Sequence, residues 1–298
     1  MQGGWSDAPY RWAVGHSSNK KVAVISYSDE DNFIPDYFKA LGAVDARNIR
    51  IASQATADLQ STYDELMQYD VFFFKGGDQY NYYQLYKGTK TAQATIDKFH
   101  AGGVISGTSA GMAILSSVIF TAKNGSVYPD EALDDFTQSS IDLADDFLPL
   151  FPGFIFDSHF TERGRIGRLL PFMGKWFMDT GELISGIGVD DRTALAIDEN
   201  KLGMVYGTGT VGIYTAASFS AYQDEKLLAD SVHAIQLLHG HSIDLAQKQI
   251  ITGPEEELPA DPASETGNYQ VLLSGSEGVN TNTAILNSLI QETHRILY

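Results

Sequence analysis

The chain has 298 residues, of which 43% are hydrophobic, and a formal charge of -18; this is enough apolar material for a sizeable core in one large domain or two small ones. So acidic a balance argues against nucleic acid or an anionic membrane surface as partner, and no apolar run reaches the length of a membrane span. With no cysteine, disulfides, thiolate nucleophiles and cysteine-ligated metals are excluded, a composition compatible with cytosol and periplasm alike.

The opening Met1-Gln2-Gly3-Gly4 is neither a signal peptide nor a targeting motif. A Gly-Gly turn usually follows a strand, so a trimmed N-terminus is expected, and the compartment stays open. A short helix is predicted around 10–14. The nearly continuous apolar run 21–27 then reads as a strand covered on both faces. Phe33, Tyr37, Phe38 and Leu41 fall at helical spacing and stop at Gly42, a fitting C-cap. A strand at 48–51, a helix lined by Leu59, Tyr63, Leu66 and Met67, and a buried strand at 70–74 follow. That strand runs into Lys75-Gly76-Gly77-Asp78-Gln79, and a polar helix leads on to Gly102-Gly103. Alternation at this pitch means βαβ units and a mostly parallel sheet with helices on both faces, whose sites form at the carboxyl ends of strands.

Two glycine-rich loops occupy that position, Gly76-Gly77 and Gly107-Thr108-Ser109-Ala110-Gly111. The second is the Gly-x-Ser-x-Gly pattern of a nucleophile elbow, a sharp strand-to-helix turn that lifts a serine hydroxyl clear of the backbone. The Ala110 N–H, at the start of the helix, is placed to donate to an oxyanion. Beyond it come a strand at 118–121, a turn at Asn124-Gly125 and an acidic stretch at 128–136. A strand at 154–156 ends in Asp157-Ser158-His159-Phe160. A helix at 168–178 precedes strands near 187–189, 194–197, 204–206 and 211–214. The main domain is read as 1–252. Residues 253–268, polar with three prolines, form a loop, and 269–273 with 283–296 supply a strand and a helix docking on the same domain.

A serine nucleophile needs a base for its proton and an acid that fixes the tautomer of the base. His159 lies at a strand end on the same carboxyl edge as Ser109. The acid has several candidates: Asp130 and Glu131 lie between them, and Asp190-Asp191 ends another strand, while Asp134 and Asp135 read as solvated. His239-Gly240-His241 lacks a third ligand, and no metal or organic cofactor is called for.

Three ordered stretches carry a resemblance: Gly76-Gly77-Asp78-Gln79, Gly107 to Gly111, and Asp157-Ser158-His159-Phe160 with Arg163, Arg165 and Arg168. Together they resemble cyanophycinase and its relatives, in the serine peptidase family that includes dipeptidase E. The likeness covers about residues 20–200, with Gly186-Ile187-Gly188-Val189-Asp190 as a weaker fourth match. It implies a flavodoxin-like, class I glutamine amidotransferase-like fold with a β-rich C-terminal addition. By the same resemblance Ser109 is the nucleophile and His159 the base, with Glu131, or its neighbour Asp130, as the acid. Gly77 and Ala110 would hold the oxyanion, and Gln79, Asp157, Arg163 and Arg165 would contact substrate, Arg168 being given to structure. The expected substrate is a small peptide or an aspartyl-containing polymer, cleaved at an amide next to an aspartyl residue; a homodimer is left open. Ser158 stands where the family often has glutamine. An esterase of α/β-hydrolase type and a non-catalytic binding protein on the same scaffold are the alternatives.

Overall fold

The computed structural model describes residues 4–28, 31–222 and 225–253; the segments 269–273 and 283–296, expected to dock as strand and helix, lie outside them. The chain begins with α1 (Asp7–Gly15), β1 (Lys21–Ser26), α2 (Phe33–Ala40) and β2 (Asp45–Arg50), followed by the short helices α3 (Gln54–Ala57) and α4 (Gln60–Leu66). Next come β3 (Val71–Phe74), α5 (Gln79–Tyr86), α6 (Lys90–His100) and β4 (Val104–Gly107). These four strands form one parallel sheet in the order β2-β1-β3-β4. Its central strands β1 and β3 are apolar without alternation because both faces are covered. Ile25, Phe72, Phe74, Tyr82 and Tyr86 pack on one face, and Val14, Val24, Phe38 and Phe73 on the other.

After β4 comes the four-residue helix α7 (Ala110–Ala113), then β5 (Ile119–Phe120), α8 (Pro129–Asp134), β6 (Leu143–Ala144), β7 (Phe154–Ser158), α9 (Ile166–Thr180) and β8 (Ser185–Val189). Strands β9 (Thr193–Ile197), β10 (Leu202–Gly207) and β11 (Val211–Thr215) follow. The remainder is β12 (Ser218–Tyr222), β13 (Lys226–Asp230), β14 (His233–Leu237), β15 (Ser242–Asp244) and β16 (Gln249–Thr252). A second sheet has the order β14-β11-β8-β7. In it β7 and β8 run parallel, and β11 and β14 are antiparallel additions. A third, antiparallel sheet, β16-β15-β10-β9, carries most of the rest of the C-terminal β structure.

The α/β architecture with helices flanking a parallel sheet is as the alternation of elements led one to expect. The five strands after β11 exceed the sequence reading, in which 218–252 carried no assigned element. They are short, joined by tight turns, and half exposed, so their alternation is too brief to register as a period. The two halves meet where α7 packs against β7, and at a parallel bridge between Val118 and Ile155. Among the described residues no helix is long and apolar enough to cross a membrane.

Candidate active site

Ser109 sits between the end of β4 and the first residue of α7, with φ 52° and ψ -121°. An L-residue rarely adopts that conformation, and it costs on the order of 1–3 kcal/mol. The glycines on either side make the turn sterically feasible. A Cβ on Gly107 would come within 2.3 Å of the Gly111 carbonyl oxygen, and one on Gly111 within 2.2 Å of the Phe74 carbonyl oxygen. These obstacles are backbone and cannot swing aside. Gly111→Ala is therefore expected to lower stability by about 1–3 kcal/mol or more, read as a fall in the urea midpoint, and to displace the serine it supports.

His159, one residue past the end of β7, is also left-handed, at φ 48°. Its Nε2 lies 2.9 Å from Ser109 Oγ. Its Nδ1 makes a very short contact with Asp191 Oδ1. With Nδ1–H donating to that carboxylate, Nε2 is left as the acceptor for the serine hydroxyl proton. Asp191 follows β8, the parallel neighbour of β7, so acid and base project from adjacent strand ends; Ser158 and Val189 are paired in register.

Two reciprocal bonds tie those loops together. The Asp191 N–H donates to Glu162 Oε1 at 2.9 Å, and the Thr161 N–H donates to Asp190 Oδ1 at 2.9 Å. Asp190 also accepts from the Thr210 N–H and hydroxyl, each at 2.8 Å.

Four residues expected at the site, Glu131, Asp130, Asp157 and Arg165, are engaged elsewhere in the structure. Glu131 Oε2 accepts the Tyr128 N–H at 2.9 Å, where it caps α8. Asp130 lies on the same helix, and it is Asp191 that meets the His159 ring. A carboxylate in the first turn of a helix is stabilised by the unpaired N–H groups there, which explains why both acids occur at this point.

Asp157 and Arg165 are buried, and they bond to each other instead of facing solvent. Asp157 takes Arg165 Nη1 at 3.0 Å and a bidentate pair from Arg168, Nη2 and Nε each at 2.7 Å. Both guanidiniums also donate to backbone carbonyls, Arg165 to Ser158 at 2.7 Å and Arg168 to Val127 at 3.0 Å. Burial pulls the Arg165 guanidinium down to about 10, opposed by the adjacent Asp157 charge. This network ties the end of β7 to the start of α9 and so brackets the His159 loop.

The remaining candidates lie around that centre. The Gln79 amide donates to the Phe120 carbonyl at 2.7 Å, and Arg163 is exposed. The loop carrying Gly76 and Gly77 passes directly beside the serine, since a Cβ on Gly76 would lie 3.3 Å from the Ser109 Cβ. Among the described residues the N–H groups of Gly77 and Ala110 have no hydrogen-bond acceptor. His239 and His241 bond to nearby backbone, and among the described residues no three His, Asp or Glu gather as a metal site.

The sequence pattern of peptidase family S51 matches residues 13–205, a span that includes Gly77, Ser109, Ala110, His159 and Asp191. The chain belongs to that family. This S51 peptidase is 25% identical over 236 residues to a cyanophycinase of Geminocystis herdmanii, covering 77% of this chain and 82% of the relative. It is 25% identical over 179 residues to a cyanophycinase of Synechococcus elongatus, covering 60% of this chain and 52% of that one. In structure it is similar to a peptidase from an acI-B1 Actinobacterium. The TM-score is 0.58 at 16% identity, with 80% of this chain and 91% of the other covered, and that likeness speaks for the fold. Membership makes the chain a serine-type peptidase acting on a peptide or polymer, and the α/β-hydrolase alternative falls with it.

Proposed function

We propose that this S51 peptidase hydrolyses amide bonds next to aspartyl residues, such as those of β-aspartyl-arginine, through an acyl-enzyme on Ser109. The observation that carries the reading is the unbroken hydrogen-bonded line from Ser109 Oγ through His159 to Asp191. His159 accepts the hydroxyl proton as Ser109 attacks the carbonyl, and Asp191 holds the imidazole in the required tautomer and stabilises the cation that forms. The N–H groups of Gly77 and Ala110 take the developing oxyanion. His159 then returns its proton to the leaving amine, and water releases the acid by the reverse sequence. Arg163, four residues beyond His159 and exposed, is the cation offered to a substrate carboxylate, because Arg165 is already committed to Asp157. Two cyanophycinases among its relatives favour an aspartyl substrate.

The test is intact-protein mass spectrometry after a fluorophosphonate, beside hydrolysis of α- and β-aspartyl dipeptides. One adduct on the wild type and none on Ser109→Ala is expected, together with cleavage of an aspartyl peptide. An unlabelled wild type that cleaves no peptide would favour a binding protein on this scaffold.

A further inference from the structure

Gly77 has φ 141°, a conformation outside the usual range of side-chain-bearing residues. A glycine also has little local preference to hold its flanking peptides in one direction. If the Gly77 N–H is to meet an oxyanion, something outside the loop must orient it.

Among the described residues, three hydrogen bonds reach the backbone of this loop from outside it. The Lys75 N–H donates to the Ile25 carbonyl at 3.0 Å, continuing the pairing of β1 with β3. The Tyr82 hydroxyl donates to the Lys75 carbonyl at 2.8 Å. At the far end the Asp78 N–H donates to the Tyr27 hydroxyl oxygen at 2.5 Å. The Tyr27 ring meets the Tyr82 ring edge-on at 4.9 Å, so the residues bracketing the loop also support each other. The Tyr27 oxygen stands 2.2 Å from where a Gly77 Cβ would be, so a side chain at 77 would displace the tyrosine from this position.

We propose that Tyr27 is a positioning residue for amide hydrolysis: its hydroxyl anchors the Gly77–Asp78 peptide on one side of Gly77 while the Lys75 contacts anchor the other, and together they limit the direction of the Gly77 N–H, which lies in the intervening Gly76–Gly77 peptide. The proposal rests on the reading of Ser109 as nucleophile and Gly77 as oxyanion donor. Tyr27 lies just past β1, in a stretch that carries no motif. Its phenol oxygen acts here as an acceptor, so Tyr27→Phe removes that acceptor and keeps the ring on Tyr82.

Donors to an oxyanion act only when correctly placed, and small misplacements cost on the order of 100-fold. Tyr27→Phe is expected to lower kcat about 10- to 100-fold and to leave KM within about twofold. The decisive readout is affinity for a peptidyl boronic acid, whose tetrahedral adduct on the serine places an oxygen in the hole. Boronate affinity should fall by the same factor as kcat/KM while product affinity stays unchanged. A tyrosine that merely supports the fold would lower the melting temperature without separating those two affinities. The affinities are compared on the folded fraction, so a loss of stability does not disturb their ratio. An unchanged ratio of boronate to product affinity in Tyr27→Phe, with wild type inhibited and Ser109→Ala inactive, overturns the role of Tyr27 alone. Hydrolysis retained in Ser109→Ala overturns the parent reading and this proposal with it.

Discussion

Asp191→Asn is expected to lower kcat about 10⁴-fold, while Glu131→Gln leaves activity within about twofold. An asparagine at 191 offers its NH₂ as readily as its carbonyl to His159 Nδ1. It thereby favours the tautomer that carries its proton on Nε2, where the serine hydroxyl requires an acceptor. It also removes the negative charge that balances the imidazolium during attack. Glu131 caps α8 through the Tyr128 N–H, and a glutamine oxygen can accept the same bond, so little should change. The two variants assayed side by side, with KM expected near wild type for both, decide between the acids. Equal losses at 131 and 191 would contradict the geometry, and full activity in Asp191→Asn would exclude it from the relay.

The second large effect concerns stability. Asp157→Ala leaves Arg165 and Arg168 buried with no counter-charge, their side chains 10% and 3% exposed. Removing one member of a buried ion network in this way costs about 3–5 kcal/mol, because the remaining charges keep their desolvation penalty and lose their compensation. Chemical denaturation followed by tryptophan fluorescence should show the transition move to lower urea, with the extrapolated unfolding free energy lower by about 3–5 kcal/mol. Replacing all three, as Asp157→Leu, Arg165→Met and Arg168→Met, should recover much of the loss if the cost is electrostatic. Failure of the triple variant to recover would place the cost in the bonds to the Ser158 and Val127 carbonyls instead.

The residues differ in how openly the sequence declares them. Ser109 is legible because an elbow needs small neighbours, and Gly107 and Gly111 mark the two close backbone approaches. His159 is legible from its place at the end of an apolar strand. The partner acid is not fixed by spacing: Glu131 is nearer in the chain, and Asp191 becomes the neighbour only because β8 pairs with β7 after the intervening α9. Strand order is a tertiary fact, and a single sequence does not display it. The arginines illustrate a second limit. In a polar run such as 161–168, which guanidinium faces water depends on how α9 rolls against β8, and one buried aspartate, Asp157, decides it for two of the three. Position next to the serine loop was readable for Gly77, whereas the contact with Tyr27 joins two loops about fifty residues apart.

Ser109 and the His159–Asp191 pair come from different sheets, joined through α7 on β7 and one strand bridge. Ser109 therefore leaves the ribosome about eighty residues ahead of Asp191. At roughly 5–20 residues per second, an interval on the order of ten seconds passes in which the hydroxyl is present and its activating pair is unfinished. On the proposed reading of the site, a chain arrested before residue 191 carries Ser109 without its hydrogen-bonded pair and is expected not to react with a fluorophosphonate.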